Sequence, residues 1–345
     1  MNVMTTDLPL NIEKRKRKLM TGIDFLWLEI TSKCNLYCGH CYADSGPHSS
    51  LHGEMQLKDW INILSEAASL GCRQAQFIGG EPTLHPNLTE MINRAVTDFG
   101  YQTVEVFTNG TNLSAELIKF FTNKKVTLAT SFYSDDAEVH DRITNRAGSF
   151  TRTVEGIRRA VEAGIFIRAG VIETIYNRGH YGAAKSFLNN IGVKQIGYDR
   201  ERGIGRGANA QVAIKSNPMK ELCGRCWQGK LCVTADAKTF PCVFSRFLDL
   251  GDPREGLDSI LKSKRLNDFR AEMSELFPAK FVGDEIADSP TACQPDIPCS
   301  PDQCEPASGC DPSGPCEPGC PCTPEEPACS PQNCLPNEPC NPNLA

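Results

Sequence analysis

Residues 25–42, FLWLEITSKCNLYCGHCY, join a β-rich run to a loop that contains three cysteines. The run FLWLEIT is rich in branched and aromatic residues, which is typical of a buried strand. Similar runs recur along the first 200 residues, at 74–80, 103–109, 126–133, 165–174 and 194–199. Segments with apolar residues at helical spacing lie between these runs. Strands that alternate with helices in this way predict a parallel sheet with right-handed crossovers.

The number of predicted strands defines the fold class. Six strands are fewer than the eight of the usual βα barrel, so an open barrel fits better. The sequence therefore predicts an α/β fold: a partial (β/α)6 TIM-type barrel, a small cysteine-ligated extension and a Cys/Pro-rich tail. The predicted boundaries are an N-terminal arm (1–24), the barrel (25–205), the extension (206–275) and the tail (276–345). Functional residues of such barrels gather at the carboxyl ends of the strands.

The 18 cysteines are unevenly distributed, because eight precede residue 243 and ten lie between Cys293 and Cys340. The first residues lack the apolar core of a signal peptide, and no run approaches the ~20 apolar residues that span a membrane. We therefore expect a cytoplasmic protein with no membrane partner, whose clustered thiols stay reduced and bind metal rather than form disulfides. The net charge of −6 argues against nucleic acid as a partner.

The loop CNLYCGHCY places three thiols directly after the first predicted strand. Three thiolates in so short a loop can hold three corners of a four-iron cluster, which leaves the fourth iron without a protein ligand. An open iron suits a reagent, whereas a pure electron carrier normally closes all four positions with cysteine. A zinc site is the alternative, with His40 as the available fourth ligand.

The spacing of Cys34, Cys38 and Cys41 resembles the signature of the radical S-adenosylmethionine (SAM) superfamily, and the aromatic residue Tyr42 follows as it often does there. The resemblance implies a [4Fe–4S] cluster whose open iron is chelated by the amino and carboxylate groups of SAM. It also implies reductive cleavage of SAM to methionine and a 5′-deoxyadenosyl radical. The cofactor would supply the difficult chemistry, and the protein would supply orientation and exclusion of water.

Further residues at strand ends match positions where this superfamily contacts SAM. The second run ends in Gly79, Gly80 and Glu81, which resemble the motif that binds the methionine part. Glycines allow a ligand to approach the backbone, and a carboxylate suits the positive amino group. An ordinary strand exit with a surface glutamate is the alternative.

Three other strand ends supply weaker candidates. Asn109 is expected to contact the cofactor or to form a turn. Ser131 is expected to contact a ribose or carboxylate. Many relatives have an arginine three residues after an HD pair, but Thr144 stands there in this chain. The candidates for the SAM carboxylate are therefore Arg142 and Arg168, although either could be a surface or salt-bridging arginine.

A second group of cysteines follows the barrel: Cys223, Cys226, Cys232 and Cys242. Four thiolates close a site completely, so this group predicts one auxiliary [4Fe–4S] cluster or a structural zinc. Residues 233–242 resemble the hairpin of the SPASM and twitch extensions of peptide-modifying radical SAM enzymes, and residues 200–207 resemble the barrel exit that leads to them. The chain departs from them in having Asp236-Ala237 where relatives usually have Asp-Gly.

The extension favours an enzyme that modifies a ribosomally made peptide or protein by a crosslink or other C–H functionalisation. The alternatives are an enzyme acting on a small molecule, such as a dehydrogenase or one of tetrapyrrole or cofactor biosynthesis, and a non-enzymatic iron–sulfur or metal-binding protein. The expected partners are the peptide, a reductant such as flavodoxin or ferredoxin, and a separate protein or the barrel rim that binds any leader peptide. The 24 residues before the first strand are too few for a winged-helix recognition module.

The tail is almost free of large apolar residues, and cysteine is followed two residues later by proline nine times between Cys293 and Pro342. Such a segment cannot bury a core of its own. It is a disordered reduced tail, a source of extra metal ligands, or a segment that imitates or is a substrate.

Deleting residues 289–345 is expected to leave SAM cleavage intact, because both cysteine groups with metal-ligand spacing lie upstream. The measurement is 5′-deoxyadenosine formation by the truncated chain after reconstitution with iron and sulfide. A truncated chain that made none would place the tail in the core site.

Overall fold

The computed structural model describes residues 20–49, 52–209 and 218–277. The predictions for the Cys/Pro-rich tail and for most of the N-terminal arm lie outside these ranges. Within them, no helix has both the length and the apolar character needed to cross a membrane.

Strands and helices alternate through most of the described chain. The strands are β1 (Phe25–Thr31), β2 (Gln74–Gly79), β3 (Thr103–Phe107), β4 (Thr127–Phe132), β5 (Ile167–Glu173), β6 (Gln195–Arg200), β7 (Lys230–Thr234) and β8 (Thr239–Phe240). The helices are α1 (Leu57–Ser69), α2 (Leu88–Thr97), α3 (Ala115–Lys124), α4 (Ala137–Thr144), α5 (Ser149–Glu162), α6 (Tyr181–Asn190), α7 (Leu257–Lys262) and α8 (Lys264–Leu276).

One sheet contains all eight strands, in the order β6-β5-β4-β3-β2-β1-β7-β8. The strands β1 to β7 pair in parallel, and β8 is antiparallel to β7. The six predicted strands are confirmed within two residues at either end. Because β6 and β8 are the two edges of the sheet, the barrel is open, as predicted.

The sequence did not predict the position of β7. The predicted extension begins its hairpin inside the main sheet, since β7 pairs with β1 and Trp27 lies beside Cys232. The strand β1 therefore has a parallel neighbour on each side, and the second cysteine group is attached directly to the barrel.

The two faces of the sheet differ in chemistry because successive side chains of a strand point to opposite sides. One set belongs to the apolar core shared with the helices: Leu26, Leu28, Phe77, Val104, Val106, Leu128, Ile167 and Ala169. The alternating set is largely polar and faces the barrel interior: Glu29, Gln76, Glu105, Ser131, Arg168 and Asp199.

A buried polar cluster occupies this interior. Arg168 on β5 donates to both carboxylate oxygens of Glu105 on β3, at 2.8 and 2.9 Å, and Gln76 on β2 donates to the same carboxylate. Arg168 is 3% exposed. Its guanidinium lies 5.6 Å from the ring centroid of Phe107, at the end of β3.

The C-terminal end of α3 has a backbone conformation that substitution can test. Lys125 is exposed and left-handed, with φ of +54°. A residue with a side chain is destabilised by about 1 kcal/mol or more in this conformation, whereas glycine is not. Lys125→Gly is therefore expected to raise the free energy of unfolding by about 0.5–1 kcal/mol. The matched control is Lys119→Gly inside the same helix, which should lower the free energy of unfolding by about 1 kcal/mol. Urea unfolding measures both, and equal signs for the two variants would contradict the described helix end.

Candidate active site

A cavity opens at the carboxyl ends of the barrel strands, with about 980 Å³ of empty space when the open solvent at its entrance is included. This is where the sequence predicted the functional residues. Eight of the residues proposed as ligands or cofactor contacts line it: Cys34, Cys38, Cys41, Tyr42, Gly79, Gly80, Asn109 and Ser131. Three others, Glu81, Arg142 and Arg168, are not among the lining residues.

Hydrogen-bond donors surround the sulfur atoms of the three-cysteine loop. The backbone N–H groups of Leu36 and Ser45 donate to the Sγ atoms of Cys34 and Cys41, each at 3.4 Å. The hydroxyl of Tyr133 lies 4.0 Å from the Sγ of Cys38. Donors directed at sulfur stabilise thiolates and are a feature of iron–sulfur sites. The donor set of this loop therefore fits the cluster that its spacing predicts.

Burial opposes ionisation of the same thiols. Burial, with the neighbouring Glu81 carboxylate as the second cause, raises the pKa of Cys34 to about 12. Burial also raises the pKa values of Cys38 and Cys41. A bound cation that displaces the protons would therefore hold these sulfurs as thiolates. Within the described ranges, no group of three or more His, Cys, Asp or Glu side chains is placed to hold a single metal ion.

Arg206, which was not among the residues predicted from the sequence, anchors the cysteine loop from the segment after β6. Its Nε donates to the carbonyl of Cys38 at 2.9 Å, and its Nη2 donates to the carbonyl of Ser45 at 2.6 Å. Its Nη1 pairs with Asp44 at 2.8 Å, and the guanidinium stacks 4.2 Å from the ring centroid of Tyr37. The loop conformation thus depends on a residue 160 or more positions away. The sequence could have indicated Arg206, because it follows the last barrel strand and functional residues of such barrels gather at the carboxyl ends of the strands.

The glycine beside Arg206 explains how closely this segment approaches. Gly205 has φ of +59°, and a Cβ there would collide with the carbonyl oxygens of Cys41 and Tyr42. The backbone N–H of Arg206 donates to the Cys41 carbonyl at 3.0 Å. Gly205 therefore allows the backbone of this segment to lie directly against that of the cysteine loop.

The two glycines after β2 have a similar structural role. A Cβ at Gly79 would collide with the carbonyl oxygen of Thr31, and one at Gly80 would collide with that of Lys33. Gly80 also donates its N–H to the Thr31 carbonyl at 2.7 Å. The glycines thus allow β2 to close against the start of the cysteine loop, while they also line the cavity.

Glu81 is fully buried and joins the ends of β2 and β3. Its carboxylate accepts hydrogen bonds from Thr108 Oγ1 at 2.7 Å, from the N–H of Asn109 at 2.7 Å, and from the N–H and hydroxyl of Thr83 at 3.0 and 2.7 Å. Burial raises the pKa of Glu81, although these hydrogen bonds act in the opposite direction. The alternative of a surface glutamate is wrong. The predicted contact with an amino group stays a prediction.

Asn109 combines the two roles weighed for it. Its Oδ1 accepts from the N–H of Thr111 at 2.9 Å, which is a turn contact, while its Nδ2 donates to Asn35 at 2.8 Å and lies 3.9 Å from the Sγ of Cys34. Ser131 lies on the cavity wall, and its predicted ribose or carboxylate contact stays a prediction.

The two arginines proposed for the SAM carboxylate lie elsewhere. Arg168 is paired with Glu105 in the barrel interior, and the exposed Arg142 stacks 4.2 Å from the ring centroid of Tyr176. The arginines that line the cavity are Arg200 and Arg202, at the end of β6. Arg202 is held by both carboxylate oxygens of Asp199.

Tyr42 connects the cavity with the second cysteine group. Its buried hydroxyl has no hydrogen-bond partner among the described side chains and backbone groups, and its ring contacts Phe244 at a centroid distance of 5.5 Å. Burial raises the pKa of Tyr42. Beside it, Arg246 forms an ion pair with the buried Glu29 and lies 5.7 Å from the Tyr42 ring.

The second cysteine group lies in its own apolar cluster, which includes Trp27, Trp227, Phe240 and Phe244. The Sγ atoms of Cys226 and Cys242 are 3.0 Å apart. In the hairpin, Ala237 adopts φ of +57° where relatives were expected to have glycine.

Comparison with known proteins identifies the barrel. Residues 28–179 match the family model of the Radical SAM superfamily. The chain therefore contains a domain of this superfamily, and the resemblance drawn from its cysteine spacing is confirmed. Membership implies a [4Fe–4S] cluster and SAM as the cofactors of the domain.

The curated relatives include one protein named for bacteriocin biosynthesis and one named as a maturase. The chain is 32% identical to the antilisterial bacteriocin subtilosin biosynthesis protein AlbA of Bacillus subtilis (strain 168), over 52% of this chain and 40% of that protein. It is 27% identical to the mycofactocin maturase MftC of Mycobacterium ulcerans (strain Agy99), over 68% of this chain and 63% of that protein. The chain thus spans less than two thirds of either relative.

A solved structure supports the fold. The crystal structure of Streptococcus suis SuiB bound to S-adenosylmethionine superposes with a TM-score of 0.59 at 15% identity, covering 79% of this chain and 75% of that chain. At this identity the similarity shows the open partial barrel alone.

The anchoring role of Arg206 is testable by substitution. Arg206→Met is expected to lower the free energy of unfolding by about 2 kcal/mol, because it leaves the carbonyls of Cys38 and Ser45 without their donor. Arg206→Lys should recover only part of the loss, since one ammonium cannot reproduce the planar fork. The control is Arg254→Met, at an exposed ion pair with Asp252, which should change stability by less than about 0.5 kcal/mol. If urea unfolding showed equal losses of unfolding free energy for Arg206→Met and Arg254→Met, Arg206 would not anchor the cysteine loop.

Proposed function

We propose that this chain is a radical SAM enzyme that modifies a ribosomally synthesised peptide or protein by a crosslink or other C–H functionalisation. The observation that carries the proposal is the placement of three donor-surrounded cysteines at one end of a large cavity in a radical SAM domain. Relatives whose names refer to bacteriocin biosynthesis and mycofactocin maturation support a peptide substrate.

The residues of the cavity receive distinct roles in this proposal. Cys34, Cys38 and Cys41 would hold the [4Fe–4S] cluster, and the donors around them would stabilise the thiolates. Gly79, Gly80, Asn109 and Ser131 would contact SAM from the ends of β2, β3 and β4. When bound, the cluster and SAM supply the reducing electron and the 5′-deoxyadenosyl radical that abstracts hydrogen.

The opposite wall suits substrate positioning. Tyr133, His140 and Ile172 present rings and an alkyl group to the cavity, whereas Asp199 and Glu201 lie at the end of β6. Burial lowers the pKa of His140 to about 4, so its ring is neutral at pH 7. Tyr133, His140 and Ile172 are neutral, and neutral or apolar groups at a cavity wall exclude water, which protects reactive species from side reactions.

We further propose one auxiliary [4Fe–4S] cluster on Cys223, Cys226, Cys232 and Cys242. Its support is the burial of the last three of these cysteines beside β1, next to the active-site cavity. In this proposal residues 25–205 are the radical SAM barrel and residues 206–275 are the auxiliary extension. A reductant such as flavodoxin or ferredoxin would supply electrons, and a separate protein or the barrel rim would bind any leader peptide.

The test uses the full-length chain, reconstituted anaerobically with iron and sulfide and incubated with SAM and dithionite. We expect 5′-deoxyadenosine from the wild type and at least a 100-fold loss in a variant with Cys34, Cys38 and Cys41 all replaced by alanine. Cys72→Ala is the matched control, because this buried cysteine bonds to the Gln74 carbonyl and does not line the cavity.

The peptide substrate is tested separately, by co-expression with short open reading frames that neighbour the gene and by mass spectrometry of their products. A mass shift that requires the three cysteines would support the proposal. SAM cleavage without any peptide shift would favour the small-molecule alternative, and no cleavage at all would favour a non-enzymatic metal protein.

A further inference from the structure

The end of β6 presents one carboxylate to the cavity. Glu201 directly follows β6 and is one of the lining residues. Its backbone N–H donates to the carbonyl of Glu173 at 2.8 Å, so the pairing of β6 with β5 continues through this residue. Because successive side chains of an extended chain alternate, Glu201 lies on the same face as Asp199, which also lines the cavity. The backbone therefore fixes the direction of the Glu201 side chain.

The carboxylate of Glu201 has no partner within the protein. It accepts no hydrogen bond and forms no ion pair with any residue in the described part of the chain. Burial alone raises the pKa of Glu201, and no neighbouring charge contributes to this shift. A partly buried carboxylate without donors is unfavourable, because it has lost contacts with water and gained none in exchange. The position thus suits a donor that comes from a ligand.

The arginines beside Glu201 are already paired. Arg202 donates to the two carboxylate oxygens of Asp199, at 3.0 and 2.5 Å. Arg200 pairs with the carboxylate of Glu221 at 3.1 Å, and it reaches only the backbone carbonyl of Glu201, at 3.0 Å. These two arginines and two carboxylates balance each other. Glu201 is therefore the uncompensated charge at the end of β6.

The histidines of the cavity wall add no positive charge. Burial lowers the pKa values of His40 and His140 to about 4, so both rings are neutral at pH 7. His140 is 1% exposed, and its Nδ1 has no hydrogen-bond partner in the described part of the chain. A cation that enters the cavity thus meets neutral rings on this wall, and His140 is a second lining residue with an unsatisfied polar atom.

We propose that Glu201 binds a protonated primary amine of the substrate, from a lysine side chain or from the N-terminus of the peptide. This inference rests on the proposed peptide substrate of the same cavity. An ammonium supplies both the missing donors and the compensating charge, and such charge-assisted hydrogen bonds are strong where water is excluded. The cavity also has to hold SAM, which favours the compact ammonium over the broader guanidinium. The contact selects and orients the residue that is presented for reaction.

Binding of short peptides to the full-length chain tests the proposal. The chain is reconstituted anaerobically with iron and sulfide and saturated with SAM, and dissociation constants are measured by ligand-observed NMR. One pair of blocked alanine pentapeptides has lysine or norleucine at its centre, and a second pair of alanine pentapeptides has a free or an acetylated N-terminus. We expect at least fivefold tighter binding of one amine than of its neutral reference. The preferred pair identifies the source of the amine.

Glu201→Gln provides the second measurement, because it keeps the shape of the side chain and removes its charge. This variant should lose the preference for the amine while its affinity for the neutral peptides changes by less than twofold. Its urea midpoint should rise, since an uncompensated, partly buried charge is removed. The matched control is Glu138→Gln, at an exposed glutamate outside the cavity, which should leave the preference intact.

Each of three results would overturn the proposal: no preference for either amine, a preference that survives Glu201→Gln, or a lower urea midpoint of this variant, which would indicate a structural role. Equilibrium dialysis of SAM supplies a fourth, because a parallel loss of SAM affinity would assign the carboxylate to the cofactor. Formation of 5′-deoxyadenosine is measured separately. A chain that cleaves SAM but prefers no amine therefore refutes this inference alone, whereas a chain that cleaves no SAM refutes the proposed function.

Discussion

The parallel pairing of β1 with a strand on each side is the constraint on which the rest of the structure depends. The strand β2 on one side brings the glycines at 79 and 80 against the start of the cysteine loop. The strand β7 on the other side brings Cys232 beside Trp27. Because parallel strands end at the same edge, one set of backbone hydrogen bonds assembles the loop, the cavity and the second cysteine group.

The cysteine loop is shaped by contacts with distant backbone. Its sulfurs accept hydrogen bonds from within the loop, while its carbonyls accept from Arg206. Gly80 and Gly205 permit these approaches because a side chain at either position would collide with a carbonyl oxygen. The cysteines and the strand ends, including Gly79 and Gly80, line the cavity, whereas Glu81, Gly205 and Arg206 position them.

Much of the barrel was predictable because its signals are local. Strand runs, helical spacing and three closely spaced cysteines each lie within a short stretch of sequence. The periodicity of apolar residues therefore located β1 to β6, and the cysteine motif located the edge of the sheet where the strands end. The place of β7 was not predictable, since KLCVT pairs with a strand about 200 residues earlier and no local pattern specifies that partner. The positions of Arg142 and Arg168 depend on contacts with Tyr176 and Glu105, which lie 34 and 63 residues away in the sequence. The roles of single residues around the cofactors remain predictions for the same reason.

The polar cluster below Phe107 has a consequence for the order of events. Gln76, Glu105 and Arg168 fill the barrel interior beneath a residue that lines the cavity, so the described part of the barrel has a closed floor. In an enzyme of the proposed kind, a small cofactor and a bulky second reactant would then share the opening at the carboxyl ends of the strands. Sharing one opening favours a compulsory order, in which the cofactor binds before the second reactant and its fragments leave after that reactant has departed.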